Sequence, residues 1–144
     1  MGLRRLRTAV ACATALAAVC LAACGDDTHI PAPPSATLFI TSTVTITQQG
    51  NAPVHIDPAS VTFKLDDSRS LVVHLTLTSQ AATTVTVAVR ASLYDPSHAL
   101  VGDATGGQIG VAPRSTQSVE LTGPTPIGTI AAATFEVSVT PAPG

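Results

Sequence analysis

The histidines and loop carboxylates are the residues of this 144-residue chain that could hold a metal ion. Imidazole nitrogens bind transition metals and carboxylates bind Ca²⁺, provided that several such groups converge at ligand spacing. The Asp66-Asp67 pair lacks the spaced oxygen ligands of a calcium loop. The sequence therefore predicts turn-forming aspartates, solvated histidines and no metal or other cofactor. The histidines are scattered, with no H-x-H or H-x-x-x-H spacing: His29, His55, His74 and His98.

Catalytic motifs are also missing from the sequence. Serines are plentiful, but no G-x-S-x-G or S-x-x-K occurs. Glu120 and Glu136 lie on different predicted strands with polar neighbours, whereas paired acid–base carboxylates need apolar surroundings to separate their pKa values. The glycine-rich segment 106–110 is followed by no lysine and no helix, so we expect a loop or bulge there and no phosphate site. We expect a protein that is not an enzyme and has no catalytic residues; an enzyme would need a cluster that loops bring together.

Cys24 is placed for covalent modification, because it ends the one long apolar segment of the chain. Three arginines precede an uncharged stretch, residues 8–23, which is shorter than the ~20 residues that span a bilayer. This arrangement is typical of a cleaved export signal. The sequence Leu21-Ala22-Ala23-Cys24 resembles the lipobox of bacterial lipoproteins. The resemblance implies cleavage between Ala23 and Cys24 and attachment of diacylglycerol, with palmitate-type acyl chains, to the Cys24 thiol. Ordinary secretory cleavage and an uncleaved anchor are the alternatives.

Removal of the signal changes the charge and the cysteine content. The predicted mature chain, 24–144, carries four cations against nine acids, a formal net charge of −5. Four scattered cations cannot follow a phosphate backbone, so nucleic-acid binding is excluded. Because Cys12 and Cys20 leave with the signal and Cys24 carries lipid, we expect no disulfide in the mature chain.

The segment 24–35 is predicted to be a tether between the membrane and a folded domain. Pro31, Pro33 and Pro34 favour an extended polyproline conformation that could hold the domain up to ~30 Å from the bilayer. The predicted organisation is a signal peptide over 1–23, the lipidated cysteine and tether over 24–35, and one domain over 36–144.

Alternation of apolar and polar residues with a period of two dominates the chain from residue 37 onward. Such alternation predicts strands with one buried face, and no helical period follows the signal. Turn-forming residues separate the alternating runs at 66–68, 79–81, 95–97, 106–107 and 113–115. About seven strands at this spacing predict an all-β fold, an immunoglobulin-like antiparallel β-sandwich, with an open barrel as the alternative.

Ala91-Ser92-Leu93-Tyr94-Asp95 resembles the motif that names the FxLYD domain family, and the order of strands and turns over 71–140 agrees with that family. Ala91 stands where the family has phenylalanine. The resemblance implies an immunoglobulin-like domain of bacterial envelope proteins, with no catalytic residues. From the residues themselves we expect Leu93 in the core and Tyr94 on the opposite face. Asp95 should begin a turn in which its carboxylate accepts backbone N–H bonds.

These features predict a lipoprotein of the bacterial cell envelope, on the outer face of the plasma membrane or in the outer membrane. The lipid on Cys24 would bind the membrane, and the domain would be a non-catalytic scaffold or interaction module for another envelope protein. We expect docking by strand addition, first of all at the threonine-rich first strand. The alternative is a small-ligand or glycan-binding module using loops 48–58 and 123–133, with Phe39 as the candidate for an exposed apolar contact.

Overall fold

The computed structural model describes residues 37–50 and 52–143 of the chain. The predicted signal peptide, Cys24 and the tether lie outside the described residues. The described residues form eight strands and one 3₁₀ turn at Pro58–Ser60. The strands are β1 (Ile40–Gln49), β2 (Val54–Ile56), β3 (Thr62–Leu65), β4 (Leu71–Ser79), β5 (Val85–Tyr94), β6 (Leu100–Val111), β7 (Thr116–Gly123) and β8 (Ile130–Pro141).

The strands follow the hydrogen-bonded order β1-β8-β5-β6-β7-β4-β2, with β3 beside β4. The β6–β7 pairing is short, covering Thr105↔Thr122 and Gly106↔Leu121, and the sheet folds over at this point. One layer is β1-β8-β5-β6, and the other is β7-β4 with β2 and β3. The predicted all-β sandwich is confirmed. The described residues form eight strands instead of about seven, and one pairing, β1 with β8, is parallel instead of antiparallel.

The core lies between the two layers and follows the predicted alternation. Leu75 on β4, Leu93 on β5 and Phe135 on β8 are buried within one hydrophobic cluster. Burying a side chain of this size stabilises the fold by about 1.5–3 kcal/mol. Ala91, also fully buried, lies directly opposite Phe135 in the β5–β8 register, and its small side chain leaves room for the ring.

The glycine-rich segment 106–110 is a strand and not the predicted break, because it lies within β6. A Cβ on Gly106 would overlap the carbonyl oxygen of Glu120 on β7. Glycine therefore serves here to let two backbones approach where the sheet passes from one layer to the other. A bulge does remain at Gly110, which has a φ of +72° and lies where the β5–β6 register shifts.

β1 and β2, the two ends of the strand order, lie close to each other, but among the described residues no backbone ladder joins them. The open barrel that the sequence also allows is thus approached but not completed. β1 begins at Ile40, later than the alternation from residue 37 suggests. β2 lies within the segment 48–58, which was expected to be a loop.

Gly123→Ala tests the close approach of β6 to β7. A Cβ on Gly123 would overlap the carbonyl oxygen of Asp103, so we expect a loss of about 1–3 kcal/mol in the free energy of unfolding. The matched control is Gly102→Ala, whose Cβ would meet Pro126 at an ordinary 3.4 Å. Urea unfolding measures both variants. Equal stability of the two variants would contradict the constraint.

Candidate functional site

β1 is an edge strand, because it lies at one end of the strand order and pairs only with β8. Long edge strands usually carry a lysine, a proline or another charged residue that discourages pairing with a further strand. Residues 40–49 contain none of these. The other edges are short: β2 has three residues, and β3 has four residues including Lys64. Among the described strands, β1 is therefore the long edge without charge.

The first half of β1 departs from regular pairing. Its register with β8 shifts between Ile40 and Thr45. The Thr41 hydroxyl lies 2.7 Å from the carbonyl oxygen of Thr43 and 3.2 Å from that of Ile130, and it bonds to them. Regular pairing with β8 resumes at Thr45 and continues to Gln49. In the irregular half of the strand, the Thr41 hydroxyl thus bonds both to β1 itself and to the first residue of β8.

An open groove of about 360 Å³ runs along β1, between this strand and the segment 58–63 of the other layer. Val44 and Ile46 line one side, and Val61 and Phe63 line the other. All four side chains are partly buried and pack against the core. The groove is therefore an apolar opening between the two layers.

The Gln48 side chain joins the two layers beyond the end of this groove. Its amide nitrogen donates to the carbonyl oxygen of Val54 at 2.7 Å, and its amide oxygen accepts from the Ile56 N–H at 2.8 Å. Both partners are backbone groups of β2, so one carboxamide occupies a donor and an acceptor of that edge. We call this pair of hydrogen bonds the Gln48 clamp; it joins β1 to β2, where no backbone ladder does within the described ranges.

Gln48 was not predicted as a site residue, although its position in the strand carries a signal. Gln48 lies two residues after Ile46 and four after Val44, so alternation places it on the same face of β1 as these two residues, which point inward. A polar amide at an inward position needs a hydrogen-bond partner. Nothing in the sequence indicates that this partner is the backbone of β2, because side-chain alternation does not reveal which strands are neighbours.

The motif residues of β5 hold a turn together. Leu93 is fully buried, whereas Tyr94 on the opposite face is half-buried. The Asp95 carboxylate accepts hydrogen bonds from the Ser97 N–H at 2.8 Å and from the Ala99 N–H at 2.9 Å. The Ser97 hydroxyl donates to the same oxygen at 2.6 Å. These contacts give Asp95 a structural role.

Two turn carboxyls have shifted pKa values. The Ser97 hydroxyl, followed by the Ala99 N–H, lowers the pKa of Asp95 below its ordinary value. The Ser68 hydroxyl and the Ser70 N–H lower the pKa of Asp66 in the β3–β4 turn in the same way. Hydrogen bonds to the ionised form cause both shifts. Both side chains are fixed in their turns and are not poised for proton transfer near neutral pH.

Two pairs of titratable side chains lie on the outer faces. His74 Nδ1 lies 3.6 Å from Glu120 Oε2, and Arg90 Nη2 lies 3.8 Å from Asp103 Oδ2. Each side chain in these pairs is roughly half exposed, and such surface pairs contribute little to stability. Within the described ranges, no group of three or more His, Cys, Asp or Glu residues could hold a metal ion. His29 lies outside the described residues.

The two loops considered for a small ligand or glycan do not meet. Pro53, just before β2, lies beside Ser79, the last residue of β4, because Val54 pairs with Ser79 and the Gln80 N–H donates to the carbonyl oxygen of Pro53. Loop 124–129 follows Gly123, which pairs with the first residue of β4. The loops therefore lie at opposite ends of the sandwich and do not form a single site.

Comparisons with protein-family models, with curated proteins and with solved structures find no match for this chain. The resemblances to the lipobox and to the FxLYD domain therefore stay predictions. In the part of the chain that the structure describes, no helix is long and apolar enough to cross a membrane.

Gln48→Ala tests the clamp between the layers. Loss of the carboxamide leaves two partly buried backbone groups of β2 without their partners. We expect a decrease of about 1–3 kcal/mol in the free energy of unfolding, measured in urea. Gln49→Ala, at the exposed neighbouring position, is the matched control and should change stability by less than about 0.5 kcal/mol. Equal effects at the two positions would show that the clamp is not formed.

Asp95→Ala tests the turn through its dependence on pH. A carboxyl whose pKa is lowered on folding stabilises the fold fully at pH values above its ordinary pKa of about 4. This stabilisation is lost as the pH falls through the lower pKa of the folded state. The variant should therefore be less stable than wild type at neutral pH, and the difference should shrink on acidification. Carboxyl titration by NMR should place the Asp95 pKa below the ordinary value. A stability difference that does not change with pH would contradict this account.

Proposed function

We propose that this chain is a bacterial cell-envelope lipoprotein whose β-sandwich is a non-catalytic interaction module. The signal peptide, residues 1–23, would be removed between Ala23 and Cys24. A diacylglycerol on the Cys24 thiol would then hold the protein at the outer face of the plasma membrane or in the outer membrane. Two or more acyl chains give stable anchoring where one does not.

The observation that carries the interaction role is the long uncharged edge of β1 beside the open apolar groove. Strand addition uses the free backbone N–H and C=O groups of an edge for affinity and nearby pockets for specificity. β1 offers the backbone groups, and the groove between β1 and segment 58–63 offers the pocket. The partner that fits is an extended segment of another envelope protein with small apolar side chains at alternate positions.

The threonine side chains of β1 also favour this role. Thr43, Thr45 and Thr47 are exposed on the edge strand. Threonine suits a pleated surface, and its hydroxyl can pair with polar side chains across a strand pair. A lysine or glutamate at these positions would instead have to lose part of its hydration shell when a second strand pairs with β1.

Site-specific photo-crosslinking in whole cells tests the proposed edge. A photoreactive residue at Thr45 should yield an adduct with an envelope protein, whereas the same residue at Thr105, exposed in the paired interior of the sheet on β6, should not. Thr43→Lys should abolish the Thr45 adduct, because it adds an edge charge while leaving the core unchanged. Equal adduct yields at Thr45 and Thr105, or no adduct at Thr45, would contradict the proposed docking edge.

A further inference from the structure

One end of the sandwich receives the chain from the predicted tether. β1, β4, β6 and β8 all begin at this end, as the pairs Ile40↔Ile130, Tyr94↔Leu100 and Leu71↔Gly123 show. We call it the leading end. Residue 37, thirteen positions after Cys24, lies just before β1. The leading end is therefore the part of the domain that the chain joins directly to the predicted lipid.

Large apolar side chains are exposed together at the leading end. Five such residues are exposed in the described ranges, and four of them belong to this end: Phe39 at 61%, Ile40 at 40%, Leu100 at 56% and Ile127 at 89%. The fifth, Ile109 at 75%, lies near the far end of β6. Single exposed apolar residues are ordinary, but a group of them marks an interaction surface.

Two backbone hydrogen bonds place the four residues along one loop and the strand starts that it joins. The Ile127 N–H donates to the carbonyl oxygen of Val101, next to Leu100, at 2.8 Å. The Ile130 N–H donates to the carbonyl oxygen of Phe39 at 2.9 Å. Loop 124–129 therefore runs from the start of β6 to the start of β1. We call Phe39, Ile40, Leu100 and Ile127 the leading-end patch.

We propose that the leading-end patch rests on the lipid bilayer that holds the anchor. This inference depends on the proposed lipidation of Cys24, because the anchor keeps the patch close to a membrane. A thirteen-residue connection gives the patch a high effective concentration at the bilayer, so a weak apolar contact suffices. The orientation also leaves the β1 edge beyond Ile40, which runs away from this end, accessible to a partner protein.

Charges at the leading end define the lipid surface that it fits. The turns that carry Asp66, Asp67 and Asp95 lie at the same end. Carboxylates there repel anionic headgroups, while Arg69 offsets only part of this charge. The patch therefore fits a zwitterionic surface, and contact should weaken when anionic lipid is added.

Fluorescence quenching in vesicles tests the contact. The processed, lipidated protein is purified from membranes, its diacyl mass is verified, and it is reconstituted into phosphatidylcholine vesicles with brominated acyl chains. Variants Ile127→Cys and Leu100→Cys carry an environment-sensitive dye, and Ile109→Cys is the matched control at the opposite end. Because the Cys24 thiol is bonded to lipid, the introduced thiol is the one that reacts with the dye.

The expected result is a blue shift and a loss of fluorescence at positions 127 and 100, with neither at position 109. Equal quenching at all three positions would overturn the proposal. A blue shift without bromine quenching would also overturn it, because a second copy or another protein would then cover the patch. Absence of the diacyl mass would instead reject the proposed lipoprotein, and this inference with it.

Discussion

The close backbone approach of β6 to β7 is the constraint on which the two-layer structure depends. Gly106 and Gly123 have no Cβ at positions where one would overlap a carbonyl oxygen of the neighbouring strand. The main chain can therefore pass from one layer to the other through a short pairing. With the layers joined along this side, their opposite sides, β1 and β2, face each other.

That second side is joined by a side chain instead of by a ladder. The Gln48 carboxamide bonds to two backbone groups of β2, and beyond it the layers separate around the apolar groove. No ladder joins β1 to β2 among the described residues, and the groove lies open between β1 and segment 58–63. The free edge and its pocket thus follow from how the sandwich closes.

Much of this fold could be predicted from residue types alone. Alternation predicted Leu93 in the core, where it lies, because burial of one face of a strand imposes a period of two. The partners of each strand were not predictable, so the parallel β1–β8 pairing and β2 were missed. Gly106 was misinterpreted because glycine marks both loops and close backbone approaches, and the two cannot be distinguished without the neighbouring strand.

The candidate site was predictable in part. The threonine-rich first strand was the edge expected to dock a partner first, and it is an edge strand. The groove was not predictable, because it depends on the distance between layers that come from distant parts of the chain. Val44 and Phe63 face it from strands with no hydrogen bond between them. Sequence alternation predicts on which face of its strand each of these residues lies. It does not predict whether the space beside that face is filled or open.

A lipid anchor, a docking edge and a membrane-facing end are joined in one short chain, and the anchor and the membrane-facing end both require modification of Cys24. Intact-mass spectrometry of membrane-extracted protein, with Cys24→Ala beside wild type, tests this requirement most directly. The account predicts a mature chain beginning at Cys24 with added diacyl mass, and loss of that mass in the variant. A wild-type chain that is released without lipid would contradict it.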